Sequence, residues 1–211
     1  MTLGTTWTIA WMTRAADAIG ERTAELSELD RAIGDGDHGE NMNRGFTAVR
    51  ESLPELAPDA KPADVLRVTA MRLISSVGGA AGPLYGTAFL RGAEAVGGLD
   101  ELGPADVVSL LHAALGGIEE RGHASPGDKT MVDAWAAALE RAREAASHGL
   151  DATAVLQAAA DGASDGATAT DSLLPHKGRA SYLGERAVGH RDPGAVSTAI
   201  ILRAAAETAA A

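Results

Sequence analysis

The sequence contains no cysteine, and only 3% of its 211 residues are aromatic. Without cysteine the chain has no disulfide, no thiolate metal ligand and no thiol nucleophile, which fits a reducing compartment. Positive charge is also scarce, because 18 lysine and arginine residues stand against 29 aspartate and glutamate residues and the formal net charge is −11. So acidic a chain is poorly suited to nucleic acid or to an anionic membrane surface, and we expect neither partner.

Long apolar runs are missing as well. No stretch approaches the ~18 consecutive apolar residues that span a bilayer, and the N-terminus lacks the basic start and apolar run of a signal peptide. Hydrophobic residues make up 45% of the chain and charged residues 22%, a composition typical of a soluble globular protein. The length suits one buried core, so we predict a single domain over residues 1–211. The lack of a signal-peptide pattern and of a membrane-spanning run predicts a cytoplasmic location.

Apolar residues recur with helical spacing along an alanine-rich chain. Leu66, Ala70, Leu73 and Val77 fall on one helical face, and we find no convincing alternation of the kind that strands show. Start and stop signals divide the chain into eight predicted helices, at residues 5–28, 38–53, 62–77, 83–97, 104–121, 130–147, 151–170 and 194–210. Short connections favour antiparallel neighbours, so we predict an all-α, up-and-down bundle or barrel.

Four segments between the predicted helices are rich in glycine, charge and histidine. They are residues 34–45, 75–87, 121–130 and 176–194, and they are longer than minimal turns. Loops on a rigid scaffold commonly carry function, so these four segments are the candidate site.

Three aspartates crowd the first of these segments. Asp30, Asp35 and Asp37 lie within eight positions that also include Gly34 and Gly36, and clustered carboxylates repel one another unless a cation neutralises them. Oxygen ligands without thiolates suit Mg²⁺ or Ca²⁺, but an EF-hand loop starting at Asp35 would need an acidic residue where Phe46 stands. A helix that begins directly after the acids offers N–H groups to an anion, so a phosphate bridged by magnesium accounts for both features. A solvated acidic turn that caps a helix is the plainer alternative.

The glycine run at residues 78–82 and the segment at 121–130 are ambiguous by themselves. The glycine run could approach a ligand closely or form a tight turn. The second segment is not a Walker A loop, because Asp128 separates Gly127 from Lys129 and no strand precedes it. Asp128 and Lys129 could bind polar ligand groups or pair with each other.

The last segment ends in a second helix start. Asp192, Pro193 and Gly194 have the residue types of an N-cap and a first helical turn, which would offer N–H groups to a phosphate or ribose. Arg179 is a candidate phosphate or base contact, with an internal ion pair as the structural alternative.

Together and in order, the four segments resemble the DhaL family, the nucleotide-binding L subunits of dihydroxyacetone kinase. The matching motifs are LDRAIGDGDHGENMNRGF, SSVGGAAGPLYGT, RGHASPGDKTM and KGRASYLGERAVGHRDPGA, and the resemblance covers essentially the whole chain. It implies an eight-helix antiparallel barrel whose loops at one end hold ADP or ATP and two Mg²⁺ ions. The implied magnesium ligands are Asp30, Asp35 and Asp37. The implied nucleotide contacts are His38, Gly39, Glu40, Asn41, Ala80, Ala81, Gly122, Met131, Arg179, Asp192, Pro193 and Gly194.

One position departs from the family pattern. Ala81 stands where the family often has a serine, so only backbone N–H groups can serve a phosphate there.

The resemblance also implies partners and a mechanism. A separate K subunit would hold dihydroxyacetone covalently, and this chain would present the phosphoryl group without forming a phosphoenzyme, so no covalent catalytic residue is expected on it. Bound ADP would be rephosphorylated by a phosphohistidine protein of the phosphotransferase system, or ATP would exchange at each turnover. The lack of a fused K domain favours the first version. The family also implies a homodimer.

Three alternatives stay open at this point. The ketose could be a relative of dihydroxyacetone such as erythrulose, chosen by the partner subunit. The chain could instead be a nucleotide-sensing module that binds a transcription regulator. A purely structural helical protein would leave the four glycine-rich segments unexplained.

Overall fold

The helical periodicity is realised as nine α-helices over residues 2–211, which are the residues that this computed structural model describes. Four short 3₁₀ turns lie between helices, and in these residues the extended pairing is limited to an isolated bridge between Gly4 and Glu101. The helices are α1 Thr5–Glu21, α2 Thr23–Ile33, α3 His38–Ser52, α4 Pro62–Ser76, α5 Ala81–Ala95, α6 Pro104–Gly122, α7 Met131–Ser147, α8 Ala152–Ala169 and α9 Pro193–Ala210.

Eight of these helices form a closed ring. Helix α1 packs on α3, α3 packs on α4, each later helix packs on the next, and α9 closes the ring against α1. The predicted antiparallel helical barrel is therefore confirmed. Helix α2 lies outside the ring, where it contacts α1, α3 and α9. Among residues 2–211, no helix is long and apolar enough to cross a membrane.

The predicted helix over residues 5–28 is wrong, because the chain forms two helices there. Arg22 leaves helical geometry with φ −111° and ψ 15°. The hydroxyl group of Thr23 donates to two carbonyl groups of the preceding turn, at 3.0 and 3.1 Å, and such bonds compete with the helical ladder. Helix α2 then continues past residue 28, so Asp30 lies in its last turns. The other seven predicted helices agree with the structure within two residues.

Two buried tryptophans of α1 connect the first helix of the ring to the last. Trp7 and Trp11 are buried and stacked, with ring centroids 5.2 Å apart. Their indole N–H groups donate to the carbonyl oxygens of Ala205 and Ile201 in α9, at 3.1 and 2.8 Å. These bonds tie the first ring helix to the last, and they satisfy two donors that burial would otherwise leave unpaired.

Antiparallel packing brings four helix N-termini to one end of the barrel. Helices α3, α5, α7 and α9 all begin there, and each begins within or directly after one of the four glycine-rich segments. The N–H groups of a first helical turn have no partner within the helix, and they carry the positive end of the helix dipole. That end of the barrel is therefore suited to an anion.

The contact between α7 and α8 depends on a glycine. A β-carbon built on Gly166 would lie 2.6 Å from the carbonyl oxygen of Asp133 and 2.9 Å from the α-carbon of Ala134. We expect Gly166→Ala to force the two helices apart and to lower the free energy of unfolding by about 1–3 kcal/mol. Gly116→Ala is the matched control, because Gly116 is exposed in α6 with nothing within 4 Å of its added carbon.

The control should raise the free energy of unfolding by about 0.5–1 kcal/mol, since alanine is the better helix former. Urea unfolding of both variants measures the contrast. Equal effects of the two substitutions would show that close packing at Gly166 is not what stabilises the contact.

Candidate functional site

A cleft of about 330 Å³ opens at the end of the barrel where the four helices begin. All four glycine-rich segments contribute to its lining. Of the predicted site residues, those that line it are Asp30, Asp35, Asp37, His38, Asn41, Ala80, Ala81, Met131, Arg179, Asp192, Pro193 and Gly194. Three others, Gly39, Glu40 and Gly122, do not.

The three aspartates converge as the sequence predicts. One carboxylate oxygen from each of Asp30, Asp35 and Asp37 lies within 4.8 Å of the other two. Asp30 is buried, and its Oδ2 accepts hydrogen bonds from the backbone N–H groups of Asp37 at 2.9 Å and His38 at 3.2 Å. One carboxylate is thus held rigidly by the start of α3, while the other two are exposed. Hard oxygen donors at this spacing fit a divalent cation such as Mg²⁺.

Gly39 serves helix packing and does not line the cleft. It is buried against α2, and a β-carbon there would lie 2.0 Å from the carbonyl oxygen of Thr23. The glycine lets α3 approach α2 closely enough for Asp30 to reach the first turn of α3. The structure thus gives Gly39 a packing role, and its contact with a nucleotide stays a prediction.

Arg179 forms an ion pair at the mouth of the cleft. Its Nη2 lies 2.8 Å from Oδ2 of Asp35, and both side chains are more than a third exposed. The structural alternative weighed from the sequence, an ion pair, is thus realised with one of the candidate metal ligands. An exposed pair of this kind is weak, so Arg179 can turn to a bound phosphate at small cost.

His38 points into a buried polar network. Its Nε2 lies 2.9 Å from the hydroxyl group of Ser197, which lies 2.7 Å from the hydroxyl group of Tyr85. Tyr85 also donates to the carbonyl oxygen of Gly194 at 2.8 Å. Burial lowers the pKa of His38 and raises that of Tyr85, so both side chains are neutral near pH 7. The network links the first turns of α3 and α9 to α5.

Lys129 is a functional candidate whose partners the sequence does not reveal. It does not pair with Asp128; its ammonium group is buried and donates to the carbonyl oxygens of Thr170 and, at 2.6 Å, His190. These two carbonyls flank the long connection between α8 and α9. Burial lowers the pKa of Lys129. Nothing in the local pattern indicates this role, because both acceptors are distant in sequence.

A second pocket of about 350 Å³ adjoins the cleft. Its wall is largely apolar, with Pro83, Leu84, Ile118 and Met131 among the lining residues. Leu84 and Met131 line both spaces, and Gly122 lines only the second. The site therefore has a charged part and an apolar part side by side.

Asp192 caps the last helix, as its residue type predicts. Its Oδ2 accepts a hydrogen bond from the backbone N–H of Ala195 at 2.7 Å, and its own N–H donates to the hydroxyl group of Thr170 at 3.0 Å. Burial raises the pKa of the Asp192 carboxyl from its ordinary value of 3.8 to about 7. The hydrogen bond from Ala195 and the charge of Lys129 oppose this rise, and the charges of Asp133 and Asp30 add to it.

Comparisons with known proteins agree with this arrangement. The DAK2 domain family matches residues 32–207. The chain is 43% identical over 203 residues to the PEP-dependent dihydroxyacetone kinase, ADP-binding subunit DhaL, of Escherichia coli, with 96% of each chain covered. It is 40% identical over 203 residues to the PTS-dependent dihydroxyacetone kinase, ADP-binding subunit DhaL, of Lactococcus lactis, with 96% of this chain and 97% of the relative covered.

A solved structure is similar in fold. The dihydroxyacetone kinase from C. freundii in complex with AMP-PNP and Mg²⁺ superposes with a TM-score of 0.73 at 25% identity. The match covers 98% of this chain and 34% of that one, so this chain spans about a third of the length of the solved kinase.

The role of Lys129 can be tested by removing its ammonium group. Lys129→Met leaves two carbonyl oxygens without their donor, and bonds to a charged donor are worth about 1.5–3 kcal/mol each. We expect hydrogen exchange of the backbone amides in residues 173–191 to accelerate by roughly tenfold or more. Lys177→Met is the control, because Lys177 is exposed and makes no hydrogen bond within residues 2–211. Exchange that stays slow in Lys129→Met would contradict the assignment.

The raised pKa of Asp192 predicts a pH dependence of stability. Folded Asp192 holds its proton up to about pH 7, whereas the unfolded chain loses it near 3.8, so the folded state binds more protons in this window. Stability therefore falls as pH rises through the window, by at most about 1.4 kcal/mol per pH unit from this group. Asp192→Asn keeps a capping oxygen but cannot titrate.

In protein free of metal and nucleotide, urea unfolding of wild type and variant at about pH 5 and about pH 8 isolates the effect. We expect the variant to gain stability relative to wild type at the higher pH. A difference that is independent of pH would show that Asp192 titrates in its ordinary range.

Proposed function

The chain belongs to the DAK2 domain family, and we propose that it is the ADP-binding subunit of a dihydroxyacetone kinase. One observation carries the proposal: three carboxylates converge beside helix N-termini, next to an apolar pocket of a size that suits a base. Carboxylates beside a helix N-terminus are unfavourable for a bare anion, but they fit a phosphate that is bridged by metal. The near full-length relatives named as ADP-binding subunits support the same reading.

The nucleotide would lie across both parts of the site. Its phosphates fit the cleft, where the first turns of α3, α5 and α9 offer N–H groups other than those of His38 and Ala195, which already donate to Asp30 and Asp192. Its adenine fits the apolar pocket between Leu84, Ile118 and Met131. At the start of α5, Ala80 and Ala81 can contribute backbone N–H groups only. An adenine in the apolar pocket also accounts for Gly122, which lines that pocket and not the cleft.

Asp30, Asp35 and Asp37 would hold two Mg²⁺ ions at the phosphate end. When bound, magnesium and nucleotide supply the phosphoryl group and the neutralisation of its charge. Asp30 keeps one oxygen bonded to the start of α3, so it offers the other in a fixed position. Asp35 would exchange its ion pair with Arg179 for metal, which frees Arg179 for a phosphate oxygen.

No covalent step is assigned to this chain. The hydroxyl group nearest a histidine in the site is that of Ser197, which is fully buried and bonded to Tyr85, so it cannot attack a phosphate in the cleft. Phosphoryl transfer needs positioning and charge neutralisation more than a protein nucleophile, and the side chains around the cleft can supply both.

The partners follow from the same proposal. A separate K subunit would hold dihydroxyacetone, and a phosphohistidine protein of the phosphotransferase system would rephosphorylate the bound ADP. The names of the relatives that match this chain over nearly their whole length support this donor, since one is called PEP-dependent and the other PTS-dependent. A cytoplasmic location and a homodimer belong to the proposal.

Native mass spectrometry tests the proposal directly. The protein is purified without added nucleotide, weighed, and weighed again after long incubation with labelled ATP and magnesium. We expect a retained mass of ADP with magnesium that resists exchange. Rapid uptake of labelled ATP by an empty protein would favour an ATP-dependent kinase subunit for dihydroxyacetone or a related ketose. Absence of nucleotide in both spectra would refute the site.

Asp35→Asn separates a kinase subunit from a nucleotide sensor. Loss of one metal ligand should lower kcat with the K subunit and phosphohistidine donor by roughly a hundredfold or more, because charge neutralisation at the phosphate is the main catalytic contribution. Asp59→Asn is the control, since Asp59 is exposed in the connection between α3 and α4 at the other end of the barrel. Full turnover by Asp35→Asn without bound metal would disprove the magnesium mechanism.

A further inference from the structure

Arg44 forms a fork of hydrogen bonds beside the cleft. Its Nη2 donates to Oδ1 of Asn41, one turn earlier in α3, at 2.6 Å, and its Nε donates to the carbonyl oxygen of Ser76 at 2.8 Å. Ser76 is the last residue of α4, where helical carbonyl groups have no partner within the helix. Arg44 therefore ties the start of α3 to the end of α4.

Close packing of α3 on α4 brings this fork within reach. Gly45 follows Arg44 and is buried, and a β-carbon on it would overlap the side chain of Val77, which follows Ser76. The missing side chain lets the two helices approach closely at this point. Because Ser76 is 32 residues from Arg44 in sequence, the local pattern does not indicate the contact.

Neither an ion pair nor direct ligand binding accounts for Arg44. Within residues 2–211, no carboxylate lies within 4.0 Å of its guanidinium group. Arg44 also lines neither the cleft nor the apolar pocket, so a nucleotide in these spaces does not touch it. Its effect on the site is therefore exerted through Asn41 and the end of α4.

The fork sets the orientation of the Asn41 amide. A guanidinium group has donors and no acceptor, so only the oxygen of the amide can face it. The amino group, Nδ2, is then turned away from Arg44, and it has no hydrogen-bond partner within residues 2–211. Asn41 is only 7% exposed, but it lines the cleft. Two N–H donors are therefore left for a ligand in the cleft.

Gly78 bounds the same amide from the glycine-rich segment after α4. A β-carbon on Gly78 would lie 2.8 Å from Oδ1 of Asn41 and 3.2 Å from its Nδ2. The backbone of Gly78 is not in the left-handed region, so lack of space, and not conformation, calls for glycine here. The amide is thus enclosed between Gly78 and the guanidinium group of Arg44.

We propose that Arg44 is a positioning residue, which holds the Asn41 amide so that Nδ2 donates to a phosphate oxygen of the bound nucleotide. This inference rests on the proposed function. A phosphate oxygen is the acceptor because Asn41 lines the cleft and does not line the apolar pocket that fits the base. An amide turned the other way would set its own oxygen against the phosphate, and two acceptors repel. The orientation decides whether Asn41 attracts the ligand.

Dissociation of ADP tests the positioning role. Arg44→Met removes the fork and leaves the amide free to turn. In native mass spectra that follow exchange of bound ADP for labelled ADP, we expect dissociation to become roughly tenfold faster. Arg50→Met is the matched control, because Arg50 is exposed in the last turn of α3 and forms one ion pair, with Asp17 at 2.9 Å. An unchanged rate for Arg44→Met overturns the proposal.

Two further variants separate orientation from charge. Asn41→Ala should speed ADP dissociation by itself, and Arg44→Met should then add less than about twofold, because its action passes through Asn41. Arg44→Lys keeps the positive charge but not the planar fork, so we expect it to behave as Arg44→Met does. Additive effects of Asn41→Ala and Arg44→Met, or full recovery with lysine, overturn the proposal.

The amide orientation is also open to direct measurement by NMR. The chain has only three side-chain amides, those of Asn41, Asn43 and Gln157, so loss of a signal pair in Asn41→Ala assigns Asn41. In the chain without nucleotide, Arg44→Met should shift the Asn41 signals and leave those of Gln157 in place. Addition of ADP should shift the Asn41 signals more in wild type than in Arg44→Met. Asn41 signals that are identical in wild type and Arg44→Met overturn the proposal.

The two proposals fail in different ways. If the wild-type chain binds no ADP, the proposed function is lost and the phosphate contact is lost with it. The amide spectra of the free chain then still decide whether Arg44 orients Asn41. If ADP is retained, but Arg44→Met neither shifts the Asn41 signals nor speeds dissociation, only the positioning role is lost.

Discussion

Three carboxylates held within 4.8 Å of one another repel, and the cleft end of the barrel is arranged around that repulsion. Asp30 is buried, and its Oδ2 accepts hydrogen bonds from two backbone N–H groups at the start of α3. Asp35 faces Arg179, and Lys129 stands nearby without a carboxylate of its own. A site of this kind concentrates negative charge for a cation, and the cations Lys129, Lys177 and Arg179 line the same cleft.

The barrel brings the positive ends of four helix dipoles to the same end as the carboxylates. Because ring neighbours are antiparallel, every second connection falls at the same end, and four helices start there. Small residues bring the helices close, as at Gly166 between α7 and α8 and at Gly39 between α2 and α3. The positive ends of the helix dipoles thus converge on the carboxylates, and a metal-bridged phosphate satisfies both.

Local patterns in the sequence predicted much of this. The apolar periodicity and the start and stop signals located seven helices within two residues, because helix starts depend on local chemistry. The break at Arg22 escaped prediction, since it depends on how one threonine hydroxyl bonds the preceding turn. The contacts of Lys129 also could not be predicted from the local sequence. Its acceptors lie 41 and 61 residues away, so only folding reveals that it joins the two sides of the α8–α9 connection.

By itself the sequence determined the helical class, the acidic cluster and its likeness to the DhaL family, because spacing, residue type and order are local properties. Only the tertiary structure decided which of the predicted residues share a cleft, that Gly39 packs against α2, and that Gly122 belongs to an apolar pocket. These outcomes depend on how distant helices pack in the closed ring, and no stretch of sequence encodes such contacts separately.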